Sequence, residues 1–175
     1  MSGKPLNARM IPSVFTLGNL FFGFLALVWT LDRQYVLAAI FILVSVVLDG
    51  MDGKVARRLS VSSDFGKELD SLSDLVSFGV APAILAYSAS LQDSMGRWGL
   101  VIGAMFALCG AIRLARFNVL NISTYFVGVP ITFAGGFMAL LMLFAGFLPW
   151  VMVAICMLVL SYLMVSTIKV PKLGK

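Results

Sequence analysis

The sequence predicts an all-α, polytopic membrane protein with six transmembrane helices and a short interfacial N-terminal segment over residues 1–10. Three observations predict it. Of the 175 residues, 61% are hydrophobic and 12% charged, with a mean hydropathy of +1.02; soluble domains carry about 25% charged residues. Apolar runs recur along the whole chain, each near the ~20 residues that cross a bilayer. Lysine and arginine are also shared unevenly between the two sides that those crossings define.

The elements follow in order. Residues 1–10, with Lys4 and Arg9, read as an interfacial lead-in to a first span over 11–31. That run is too long for the apolar core of a signal peptide, and no small-residue cleavage site follows it. Further spans are expected over 35–56, 67–90, 98–118, 125–146 and 148–168. The six together form one membrane domain over 1–175, with no length left for a separate extramembrane domain.

With the N-terminus in the cytoplasm, Lys4, Arg9, Lys54, Arg57, Arg58, Lys67, Arg113, Arg116, Lys169, Lys172 and Lys175 lie inside, and only Arg33 and Arg97 outside. Setting aside Lys54, Arg57, Arg58, Lys67 and Arg113 as possible site residues leaves the bias intact. Trp29, Trp98 and Trp150 fall near the outer ends, where an aromatic belt belongs. Both termini then face the cytoplasm. The net charge of +5 is accounted for by this topology, and no nucleic-acid partner is expected.

Histidine is absent, which removes imidazole as base or metal ligand. Cys109 and Cys156 lie in apolar runs without metal-binding spacing and read as packing residues. Gly18, Gly23, Gly103, Gly110, Gly135 and Gly136 are expected to let helices approach closely.

Chemistry concentrates in one stretch of 26 residues that holds Asp49, Asp52, Asp70 and Asp74. Carboxylates in membrane segments are costly, so they mark ion binding, proton relay or a polar path. If the second span stays helical through Arg57, Asp49 and Asp52 are i and i+3 on one face. Gly53 and Ala56 leave room on that side, and Arg57 offers a planar, permanently charged group suited to phosphate. Residues 59–65 make a short cytoplasmic reversal, with Ser63 or Asp64 as N-cap. Asp70 and Asp74, i and i+4, share a face of the third span. Two antiparallel helices then oppose four carboxylates, which repel unless cations stand between them. All-oxygen ligation suits Mg²⁺ or Mn²⁺, with Ca²⁺ as a third candidate, and two ions can clamp a diphosphate. Asp64 and Glu68 lie off these faces and read as surface or capping groups.

The run Asp49-x-x-Asp52-Gly53-x-x-Ala56-Arg57, eight residues, then Gly66-x-x-x-Asp70-x-x-x-Asp74 resembles the signature of the CDP-alcohol phosphatidyltransferase family. Every fixed position and spacing of that signature is present. The resemblance implies a six-helix membrane core, commonly a homodimer. It also implies transfer from a CDP-linked donor to an acceptor hydroxyl with release of CMP. Carried over, it makes Asp49, Asp52, Asp70 and Asp74 the metal ligands and Asp74 also the general base. It sets Asp52, Gly53, Ala56, Arg57 and Gly66 against the CDP moiety.

Three further segments resemble the type II phosphatidylserine synthases of that family: IPSVFTLGNLFFGFLAL, GAIRLARFNVLN and FVGVPITFAGG. That likeness implies CDP-diacylglycerol or CDP-archaeol as donor and L-serine as acceptor. Arg113 and Arg116, at i and i+3, followed by Asn118, are then the candidate acceptor-binding residues. Thr16 and Asn19, one turn apart in the first span, are candidates to line the donor pocket. Electrostatics alone leaves the acceptor open, since the two arginines equally suit glycerol 3-phosphate or an inositol phosphate. A small cation transporter is the non-enzyme alternative, but it gives Arg57 no task. Aromatic prenyltransferases also bind metal–diphosphate, yet lack this glycine–alanine–arginine frame.

Overall fold

The computed structural model describes the backbone of residues 6–59, 64–120, 126–167 and 169–170, and the side chains of 14–51, 64–119 and 128–167. Helix α1 (Leu6–Leu31) is followed by α2 (Tyr35–Leu59). The turn between them sets Arg33 at φ 57°, while Gln34 N–H donates to Trp29 O at 2.9 Å and Arg33 N–H to Thr30 O at 3.0 Å. These bonds satisfy the last carbonyls of α1 in a Schellman closure. Small residues Ala26, Ala38 and Ala39, all fully buried, let the helices of this hairpin pack closely.

The third crossing is one continuous rod over Asp64–Met95. It comprises α3 (Asp64–Asp74), a π-helical turn (Leu75–Val80), α4 (Ala81–Ala86), a second π-helical turn (Tyr87–Leu91) and α5 (Gln92–Met95). Pro82 explains the first π turn. It has no N–H to give Phe78 O, and in a regular helix its ring would crowd that carbonyl. Widening the preceding turn relieves the clash, and Ala81 N–H reaches back five residues to Val76 O. In the second π turn, Ser88 O accepts a hydrogen bond from the Tyr35 hydroxyl at 3.1 Å. Gly96, at φ 51°, reverses the chain into α6 (Arg97–Leu120).

Two short strands, β1 (Phe126–Val127) and β2 (Lys169–Val170), pair antiparallel. The fifth crossing therefore departs from the expected helix over 125–146. Helix α7 spans only Ile131–Met142, with Pro130 at its N-cap, and a single 3₁₀ turn (Ala145–Phe147) follows. Non-helical backbone at membrane depth is tolerated only where protein satisfies it. Here Val129 N–H donates to Leu163 O at 3.1 Å, and buried Gly128 fits under the end of α8 (Trp150–Val165).

Three helical stretches, Val14–Leu31, Asp64–Met95 and Arg97–Val119, are long and apolar enough to cross a bilayer. Three shorter apolar helices, Tyr35–Met51, Ile131–Met142 and Trp150–Val165, accompany them. The core contains Phe78, Phe106, Ile131, Met138 and Met157, all fully buried. Phe21, Phe24, Leu140 and Ile155 point outward, as side chains facing lipid do. The expected interfacial segment overlaps α1 from Leu6 onward; residues 1–5 lie outside the described residues. The same holds for Ser63, while Asp64 is the first residue of α3 and pairs with Lys67 at 3.9 Å on the surface.

Candidate active site

The carboxylates converge where α2 runs beside the start of the third rod. One oxygen from each of Asp49, Asp70 and Asp74 lies within 4.8 Å of the others, with Asp74 buried and the other two half-buried. Asp49 and Asp74 come within hydrogen-bond reach of each other. Helix α2 continues through Leu59, so the backbone sets Asp52 one turn beyond Asp49. The side chains of Asp52, Ala56 and Arg57, and the surroundings of Gly53, lie outside the described residues. Gly66 is in the first turn of α3.

The donor set fits a divalent cation. Two oxygens bound to one ion can stand no farther apart than twice the metal–oxygen distance, about 4.2 Å for Mg²⁺ and about 5 Å for Ca²⁺. The observed spread meets the upper value and needs only a small contraction for the lower. Carboxylates this close repel strongly without a cation between them.

Polar groups from three other helices surround the cluster. On α1, Asn19 is fully buried and donates through Nδ2 to Asp74 Oδ1 at 3.1 Å. Its own backbone carbonyl accepts hydrogen bonds from Ser45 on α2, at 3.1 Å, and Ser77 in the first π turn, at 3.0 Å. Thr16, one turn earlier, is also buried. On α7, Thr132 donates through Oγ1 to Asp49 Oδ2 at 3.1 Å. Sequence reasoning passed over Thr132, Ser45 and Ser77. The available signal was a hydroxyl in an otherwise apolar helix, which is ambiguous because serine and threonine also bond their own helix.

Arg113 and Arg116 part company. Arg113 is 8% exposed and close enough to Asp74 for their charges to interact. Its guanidinium carbon sits 5.5 Å from the Phe117 ring centre, and Nε is buried with no hydrogen-bond partner among the described residues. Arg116 reaches the end of α8 instead. It donates to Val165 O at 2.9 Å, Ser166 O at 3.2 Å and Met164 O at 3.4 Å. Asn118 likewise turns to α3, donating to Ser71 Oγ at 3.0 Å and Glu68 Oε1 at 3.4 Å. Of the three expected acceptor residues, Arg113 lies near enough to Asp74 for their charges to interact, while Arg116 and Asn118 bond to neighbouring helices.

A model of the CDP-alcohol phosphatidyltransferase family matches residues 9–166. The chain is 42% identical over 166 residues to the CDP-diacylglycerol–serine O-phosphatidyltransferase of Bacillus subtilis, covering 94% of this chain and 92% of that protein. It is 38% identical over 177 residues to the archaetidylserine synthase of Methanothermobacter thermautotrophicus, covering 98% and 74%. A Helicobacter pylori CDP-diacylglycerol–serine O-phosphatidyltransferase is 35% identical over 190 residues, covering 98% and 76%. With the aspartate cluster assembled inside a helical membrane fold and a family match over nearly the whole chain, the protein belongs to the CDP-alcohol phosphatidyltransferase family.

Proposed function

We propose that this protein transfers the phosphatidyl or archaetidyl group of a CDP-linked lipid to the hydroxyl of L-serine, releasing CMP. The observation that carries this reading is the three-carboxylate cluster, with the buried Arg113 near enough to Asp74 for their charges to interact. The names of the relatives support serine as acceptor and leave ester or ether tails equally open.

In this reading residues 1–175 form one catalytic membrane domain that works as a homodimer, with the site and both termini on the cytoplasmic side. Asp49, Asp52, Asp70 and Asp74 hold two ions, Mg²⁺ or Mn²⁺. Bound there, divalent ions supply polarisation of the donor diphosphate and neutralise charge on the departing CMP. Gly53, Ala56, Arg57 and Gly66 take the CDP moiety, with Thr16 and Asn19 lining its membrane side. An apolar groove of about 260 Å³, lined by Phe133, Phe137, Ile155, Cys156, Val159 and Leu160, suits a lipid chain. Arg113 takes the serine carboxylate, which supplies the partner that its buried Nε lacks among the described residues. Asp74 accepts the proton from the serine hydroxyl. The serine oxygen forms a bond to the lipid-side phosphorus as the bond from that phosphorus to CMP breaks.

Purified protein supplied with CDP-diacylglycerol, Mn²⁺ and radiolabelled serine is expected to yield labelled lipid and stoichiometric CMP. Labelled lipid formed only when glycerol 3-phosphate replaces serine would overturn the acceptor. Asp74→Asn is expected to lower turnover at least ~100-fold, the lower range for loss of a general base, while CDP-lipid still binds. Near wild-type turnover in that variant would remove Asp74 from the role of base.

A further inference from the structure

The aspartates are held from outside the signature that contains them. Asp49 lies on α2, but its Oδ2 accepts a hydrogen bond from Thr132, on α7 and 83 residues away in sequence. Thr132 is the second residue of α7, and its position is fixed from several directions. Pro130 caps the helix and its carbonyl accepts Ala134 N–H at 3.1 Å. Ile131 beside it is fully buried, and Gly128, at φ 76°, lets the incoming chain pass beneath Met164 O. Asp49 therefore meets the first turn of α7, the partially positive end of that helix.

A carboxylate on a helix has two rotatable bonds and, near its neighbours, a strong incentive to swing away. A hydroxyl donated to one oxygen resists that swing and leaves the other oxygen for a cation. Such outer partners commonly control ligand orientation in metal sites. Asp74 is treated the same way from the opposite side, where Asn19 Nδ2 holds its Oδ1.

We propose that Thr132 is a positioning residue for the cation site, presetting Asp49 so that the cluster needs little rearrangement to bind its ion. This rests on the cation-site reading above and adds to it a residue from the fifth crossing. Thr132 touches neither donor nor acceptor in this role.

The test is a titration of Mn²⁺ into the purified full-length protein in detergent, without CDP-lipid or serine, following free Mn²⁺ by electron paramagnetic resonance. Thr132→Val keeps the shape and removes the donor; it is expected to weaken Mn²⁺ binding about tenfold or more, the usual scale for losing an outer-sphere partner. Thr132→Ser retains the donor and is expected to bind near the wild-type level. Thr30→Val is the control, because among the described residues the Thr30 hydroxyl bonds only its own helix, at Ala26 O; its Mn²⁺ affinity is expected to match wild type. If Thr132→Val does not fold, Thr132→Ala takes its place against Thr132→Ser. Wild-type affinity in Thr132→Val, or equal weakening in Thr132→Ser, overturns the proposal, as does a wild-type protein that binds no Mn²⁺. Serine transfer is assayed separately. Intact Mn²⁺ binding without transfer would sink the proposed function and leave the role of Thr132 standing.

Discussion

Arg113 and Arg116 stand three residues apart on one helix, yet their side chains meet different environments. Arg116 completes the end of α8, where the last carbonyls of any helix lack partners within it. Tyr162 O accepts Ser166 N–H, Leu163 O accepts Val129 N–H, and Arg116 donates to the next three carbonyls. Arg113 is buried within range of the Asp74 charge and keeps an unbonded Nε among the described residues. The two substitutions should therefore fail differently. Arg113→Gln is expected to raise the KM for serine roughly tenfold or more, the equivalent of about 1.5–3 kcal/mol for a charged hydrogen bond, with little change in melting temperature. Arg116→Gln is expected to leave the serine KM near wild type and to lower stability by about 1–3 kcal/mol, the cost of unsatisfied carbonyls. Steady-state kinetics and thermal melts on both variants decide between these roles. An equal rise in KM would show that Arg116 serves the acceptor as well.

At the scale of the element, the third rod determines how closely the other helices approach. Pro82 forces the first π turn, and glycines from two neighbours close on that turn. A Cβ on Gly23 would stand 2.8 Å from Ser77 Cα, and one on Gly135 would stand 2.6 Å from Phe78 Cα. Neither obstacle is a flexible side-chain tip, so neither helix can admit a methyl without moving. Such movement would shift Asn19, one turn from Gly23, and Thr132, on the same helix as Gly135. Gly135→Ala is expected to destabilise the protein by about 1–3 kcal/mol, the usual cost of overpacking. It should also weaken Mn²⁺ binding, because α7 carries the partner of Asp49. Melting and Mn²⁺ titration of this variant test the link; unchanged melting would mean the helices have slack at this contact. The expectation that these glycines serve packing was legible in their composition and spacing, but which helix meets each one was not.

For the whole molecule, the uneven distribution of lysine and arginine sets one side against the other. In the proposed orientation the aspartate cluster and the exposed Lys67 are cytoplasmic, and the exposed Arg97 lies on the other side. In a background with Cys109 and Cys156 replaced by alanine, Lys67→Cys should react with a membrane-impermeant maleimide only in inside-out vesicles. Arg97→Cys should react only in intact cells. The reverse pattern would invert the topology and place the site on the outer side.

The sequence by itself determined the all-α membrane class, the order of its spans and the candidate carboxylates. Those features depend on local periodicity and on the cost of charge in lipid, both written in consecutive residues. Helix α2 does continue through Leu59, and Asp70 and Asp74 do share a face near Asp49. Tertiary structure alone decided which polar side chains support that cluster and which arginine joins it. Thr132, Asn19 and Arg113 come from the fifth, first and fourth crossings, and their partners are 83, 55 and 39 positions away in sequence. It likewise shortened the fifth helix, because the Leu163 carbonyl of α8 and the N–H of Val129 satisfy one another. Helical spacing tells which residues share a face, whereas only packing tells what that face meets.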